Sequence, residues 1–144
     1  MSINQHLTAT LTATGPQEYE ISTNGTGGDG AYIAVRIATV LIYVHDLRAA
    51  TTYIRAVLDS NGGAMFLPEA RNITVQERSG SYPGLVINAR GVDRVSEHYY
   101  QRDHELRIRI GYVNWLILDR QAFDSMVQAW TKVAALAAIV LPKA

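Results

Sequence analysis

The segment Ala31–Ser60 repeats faintly at an offset of 73 residues, over His104–Val133. The alignment pairs Arg36 with Arg109, Ile37 with Ile110 and Val40 with Val113. It also pairs Asp46 with Asp119, Ala49 with Ala122 and Ala56 with Ala129. In both copies a run of β-type residues ends at an aspartate, and a helical apolar pattern begins there. A chain of 144 residues that changes period twice at matched places has few folds open to it. The pattern predicts a single domain over 1–144, made of two strands-then-helix halves at about 1–62 and 63–144.

The first long β pattern is Ala31–His45. Ile33, Val35 and Ile37 point one way, and Tyr32, Ala34 and Arg36 the other. Both faces turn apolar from Val40 to Val44, as for a strand entering a core. The second is Leu106–Leu118, with Leu106, Ile108 and Ile110 inward, Arg107 and Arg109 outward, and Gly111 read as a bulge. Asp46 and Asp119 are apt N-caps. Beyond Asp46, the residues Leu47, Ala50, Ile54, Val57 and Leu58 share a helical face that Asn61-Gly62-Gly63 closes. Beyond Asp119, the apolar face carries Phe123, Met126, Val127, Trp130, Val133 and Leu136, and Pro142 lies past its end. A change from helix to strand near Ala138–Leu141 is a second reading of that end.

Shorter signals fill the gaps. HLTATLTAT alternates like an edge strand and stops at Gly15-Pro16. Glu18–Thr23 is a second short strand, and NGTGGDG (Asn24–Gly30) is a loop. Ala64–Leu67 reads as a short strand. Asn72–Arg78 and Gly84–Ala89 read as a hairpin around Ser79–Pro83. Val92–Glu105 is either an exposed strand pair or a long loop. The expected class is α+β, a mainly antiparallel sheet with two helices.

Composition removes several function classes. Thirteen basic and 13 acidic residues cancel, so nucleic-acid binding would need a local patch. Eleven of the basic residues are Arg, a skew that fits a GC-rich genome, since Arg codons are rich in G and C, and that alternatively supplies planar, bidentate donors. The absence of cysteine excludes disulfides, thiolate metal sites and cysteine nucleophiles. The opening MSINQHLTATLTATGP lacks the basic and apolar regions of a secretory signal. The longest apolar run, Val133–Leu141, has nine residues, about half a bilayer span. A cytoplasmic protein without a membrane partner is therefore expected.

Catalytic and cofactor signatures are missing. Gly25–Gly30 leads into a strand, with no Lys-Ser/Thr after it, so it reads as a connection and not as a phosphate cradle. His98 and His104 stand among Glu97, Asp103 and Glu105, but their spacing fits no metal motif. His45 reads as a boundary residue, and no Ser nucleophile has a recognisable setting. No catalytic, cofactor or metal residue is assigned, and the chain is read as non-enzymatic.

Two surfaces remain. Arg36 shares a face with Tyr32, Arg107 and Arg109 share another, and Tyr99, Tyr100 and Arg102 lie just upstream. Sheets that bind single-stranded nucleic acid combine such aromatics with Arg. Pairing of the two long strands would bring Arg36 and Arg109 into one patch. The C-terminal run exceeds one helical face, so Trp130, Leu136, Ile139 and Val140 are candidates for self-association. The leading expectation is a regulatory or assembly module acting through protein contacts, including homo-oligomer contacts. Single-stranded nucleic-acid binding is the alternative.

The stretch YVHDLRAATTYIRAVL (Tyr43–Leu58) is similar to the opening unit of the glyoxalase-like vicinal oxygen chelate proteins, through Asp46, Leu47, Tyr53, Val57 and Leu58. That resemblance implies repeated βαβββ units and an enzyme or small-ligand binder, often with a metal. The order of strands, helix, strands, helix resembles in layout the Whirly-type proteins, which bind single-stranded DNA, and the SsgA-like division regulators.

Overall fold

The computed structural model describes residues 9–71, 85–91, 94–111 and 113–142. The first half contributes β1 (Ala9–Ala13), β2 (Tyr19–Asn24), β3 (Tyr32–Ile37), β4 (Val40–Val44) and α1 (Leu47–Asp59). The short α2 (Asn61–Ala64) follows. The second half contributes β5 (Leu85–Ala89), β6 (Val95–Tyr100), β7 (Glu105–Ile110), β8 (Val113–Ile117) and α3 (Arg120–Val140). The class is α+β, and the described residues form eight strands in two mainly antiparallel sheets. Sheet A has the order β1-β8-β7-β6, and sheet B the order β2-β3-β4-β5.

Each long β pattern is a hairpin and not one strand. Ile37 pairs with Val40, and Ile110 with Val113, across two-residue turns. Such a turn moves the inward positions by one in phase, from Ile33, Val35 and Ile37 to Val40, Ile42 and Val44. The same change takes Leu106, Ile108 and Ile110 to Val113, Trp115 and Ile117. All twelve side chains are buried, each contributing about 1.5–3 kcal/mol if fully removed from water. Ala38 and Gly111 open the two turns with φ of 53° and 61°. Gly111 is thus a turn residue, not a bulge.

The halves exchange parts. β1 leaves its own half and pairs in parallel with β8 of the other, with Ala13 opposite Ile117. β5 does the reverse on β4, with Ala89 opposite Val44. The helices cross over as well. α1 packs on β6 and β7, α3 packs on β2 and β3, and the two helices pack on each other. Tyr53 of α1 stacks on Trp130 of α3 with ring centroids 4.6 Å apart. One apolar cluster therefore draws residues from both halves.

The aspartates that end the β patterns fasten this exchange. Asp46 Oδ1 accepts the Ala49 N–H at 2.8 Å, and Oδ2 accepts the Gly91 N–H at 2.8 Å. Asp119 Oδ1 accepts the Ala122 N–H at 2.8 Å, and Oδ2 accepts the Gly15 N–H at 2.7 Å. Gly15 and Gly91 each stand two residues beyond an exchanged strand, at φ of 71° and 65°, where a side chain would be strained. Each aspartate thus caps its helix and holds the strand that came from the other half.

Several local expectations are corrected. α1 buries Ala49, Ala50, Tyr53, Ala56 and Val57, whereas Leu47 and Leu58 are exposed. The buried stripe is built around small alanines, which let the helices approach closely. Residues 64–67 are the end of α2 and a turn, not a strand. Leu85–Ala89 is a strand, but its partner is β4. The other arm of the expected hairpin, Asn72–Arg78, lies outside the described residues. α3 stays helical to Val140, so no strand forms at Ala138–Leu141. The βαβββ unit of the glyoxalase-like resemblance is not formed, because after α1 the strand β5 joins sheet B whereas β6 and β7 join sheet A. Among the described residues, no helix is long and apolar enough to cross a membrane.

Candidate functional site

Strand alternation builds the outer face of sheet A. In β7 the sequence ELRIRI sends Leu106, Ile108 and Ile110 to the core, leaving Arg107 and Arg109 outside. Pairing then fixes their neighbours. Ser96, Arg109, Asn114 and Thr10 form one row across the four strands. His98, Arg107, Leu116 and Thr12 form the next. All of these but Thr12, with Glu97 and Tyr100, border an open hollow of about 490 Å3.

Tyr100 is the centre of this face. The Arg107 guanidinium lies 4.3 Å from its ring centroid, and the His98 ring is 4.4 Å away, edge to face. Cation–π contact holds the guanidinium plane over the ring. Arg107 Nε also pairs with Glu105 Oε2 at 3.2 Å, with the Arg107 side chain still 48% exposed. Arg109 Nε donates to the Gly111 carbonyl at 3.1 Å. Arg94 precedes β6, and its carbonyl accepts the Gly111 N–H at 2.8 Å, which extends the ladder and sets Arg94 at the same end. Arg107, Arg109 and Glu97 border the hollow, with Glu105 paired to Arg107 and the Glu97 carboxylate accepting from Ser60 Oγ at 2.6 Å; alternation back from Ser96 sets Arg94 on the same face.

The outer face of sheet B holds the other candidates. Glu20, Arg36, Leu41 and Val86 make one row, and Ser22, Ala34, Tyr43 and Asn88 the next. Tyr32 meets Tyr43 edge to face at 5.3 Å. His45 stands 6.4 Å from Tyr43, with Nε2 2.9 Å from Asn88 Oδ1. The hollow along this face is about 700 Å3.

The predicted residues therefore divide. Arg107, Arg109 and Tyr100 come together on sheet A, and Arg36 and Tyr32 on sheet B. The expected union of Arg36 with Arg109 does not occur, because β3 and β7 pair within different sheets. Tyr99 turns inward: it opposes Leu106, its ring lies 5.5 Å from Phe66, and its hydroxyl donates to the Phe66 carbonyl at 3.1 Å. Arg102 is exposed in the β6–β7 turn. The sequence reading did not assign Arg94, His98 or Asn114 to this surface, weighing His98 only as a metal ligand. A count by twos back from Tyr100 reaches His98, Ser96 and Arg94, so that signal was present.

The candidates for self-association divide too. Trp130 is wholly buried and Val140 nearly so, within the chain itself, while Leu136 is half-buried and Ile139 is 67% exposed. The glycine-rich loop has a structural task. Gly27 donates its N–H to the Val140 carbonyl at 2.8 Å, satisfying an acceptor at the end of α3. Among the described residues, no three His, Asp or Glu side chains are grouped to hold a metal ion. No family model, curated protein or solved structure matches this chain.

Proposed function

We propose that the chain binds single-stranded nucleic acid across the outer face of sheet A. The observation that carries this reading is the Tyr100 cluster: an aromatic ring under Arg107, beside His98, on an open face with Arg109, and with Arg94 preceding β6 at the end of the ladder. Bases stack on aromatic rings and on guanidinium planes, at about 1–3 kcal/mol per base. The arginines supply the phosphate contacts. A chain of zero net charge needs such a local excess, and sheet A has one.

Titration of a fluorescently labelled oligonucleotide at two salt concentrations tests it. Three arginine contacts predict a slope of about −2 in log K against log salt, and Arg109→Ala reduces it by about 0.7. No binding at low salt would end the reading.

Protein–protein assembly, as a regulatory module, is the second reading. It is favoured by Met65, Phe66 and Ile139, each 67% exposed. It ranks lower because the chain itself covers Trp130 and Val140.

A further inference from the structure

The matched halves carry unequal outer faces, and the inequality is local. Strands β3 and β4 match β7 and β8 at an offset of 73, whereas β1 and β2 match β5 and β6 at 76, because the β2–β3 connection is three residues longer. The pairings confirm both offsets. Glu20 opposes Arg36 as Ser96 opposes Arg109. The Glu18 carbonyl accepts the Ala38 N–H at 3.1 Å, as the Arg94 carbonyl accepts the Gly111 N–H at 2.8 Å. At matched places, then, Arg109 has Arg94 and Ser96 beside it, while Arg36 has Glu18 and Glu20.

Counting the flanking residues, sheet A sets Arg94, Arg107 and Arg109 against Glu105 and against Glu97, whose carboxylate is bound by Ser60 Oγ. Sheet B sets Arg36 and Arg90 against Glu18 and Glu20. The aromatic component is not what differs, since sheet B has Tyr32, Tyr43 and His45 together. A phosphate approaching Arg36 meets a carboxylate on the directly opposed residue, where like charges repel at close range.

We infer that Glu18 and Glu20 close the outer face of sheet B to nucleic acid, so that each chain takes one strand, on sheet A alone. This rests on the binding reading above. The pair acts as a specificity determinant: it rejects a polyanion from a face otherwise supplied with an arginine and stacking rings.

A transplant tests this. Arg107→Ala with Arg109→Ala removes binding of a labelled oligothymidine, read by fluorescence anisotropy. Adding Glu18→Arg and Glu20→Ser, which copies the residues of the other half, restores at least about tenfold of the lost affinity at low salt. A charge-matched control, Asp59→Arg with Asp124→Ser, alters exposed helix positions instead and restores less than about twofold. Circular dichroism establishes that each variant is folded. If the transplant restores nothing, or the control restores as much, the closure by Glu18 and Glu20 is wrong. If the unaltered chain does not bind at all, the binding reading itself fails, and this inference with it.

Discussion

The Asp119 carboxylate holds the Gly15 N–H at 2.7 Å, joining the first strand of one half to the last helix of the other. The same oxygen accepts from Thr14 Oγ1 at 2.9 Å and from the Arg71 N–H at 3.2 Å, while its partner oxygen caps α3. Asp119 is fully buried. Burial alone would raise its pKa, but the hydrogen bonds from Ala122, Gly15, Arg71 and Thr14 together outweigh that and hold it below the ordinary 3.8. A lowered folded pKa means that the charge stabilises the fold above 3.8, and that this contribution disappears as pH falls through the folded value. Asp119→Ala is therefore expected to cost about 3 kcal/mol or more at neutral pH, since it leaves buried N–H groups unpaired. Asp46→Ala, at a half-buried cap, costs about 1–2 kcal/mol. Urea unfolding of both variants, repeated from neutral pH to below 3.8, measures the difference. The deficit of Asp119→Ala narrows at the acid end.

Much of this arrangement is legible in the sequence, and the remainder is not for physical reasons. The Asp caps and the two long helices follow from local residue choice, so Asp46, Asp119 and the helix that follows each were readable. The hairpins were also encoded, in the phase change between Ile37 and Val40, but continuous apolar character hides a two-residue turn. The exchange of β1 and β5 is a long-range pairing that no local pattern specifies. Tyr99 and Tyr100 are adjacent and alike, and only register with Leu106 and Glu105 decides which one faces out.

The two turns differ at their first matched position. Ala38 adopts φ of 53° where Gly111 adopts 61°. A left-handed backbone costs a non-glycine residue about 1 kcal/mol. Ala38→Gly is expected to raise stability by about 0.5–1 kcal/mol, and Gly111→Ala to lower it by about 1 kcal/mol. Chemical denaturation of both variants checks the opposite signs.

The helix crossing depends on the Tyr53–Trp130 stack. Trp130 is wholly buried, so Trp130→Ala leaves a large cavity between α1 and α3 and is expected to cost about 3–5 kcal/mol. Leu58→Ala, on the exposed side of α1, is expected to cost less than about 0.5 kcal/mol. Thermal melts of the two variants rank them in that order.

Binding should separate the two tyrosines as the two sheets separate. Tyr100→Ala is expected to weaken oligothymidine binding by about tenfold, the loss of one stacked base. Tyr32→Ala, on sheet B, leaves affinity unchanged within about twofold. Anisotropy titrations at one low salt concentration compare them directly.

The central claim is a place as much as an activity, and amide chemical shifts measured by NMR locate it. Titration of an isotope-labelled chain with unlabelled oligothymidine should move the amides of β6 and β7, around Arg107, Arg109 and Tyr100, and leave those of β2 and β3 still. Shifts confined to β2 and β3, or none at saturating oligonucleotide, would contradict it.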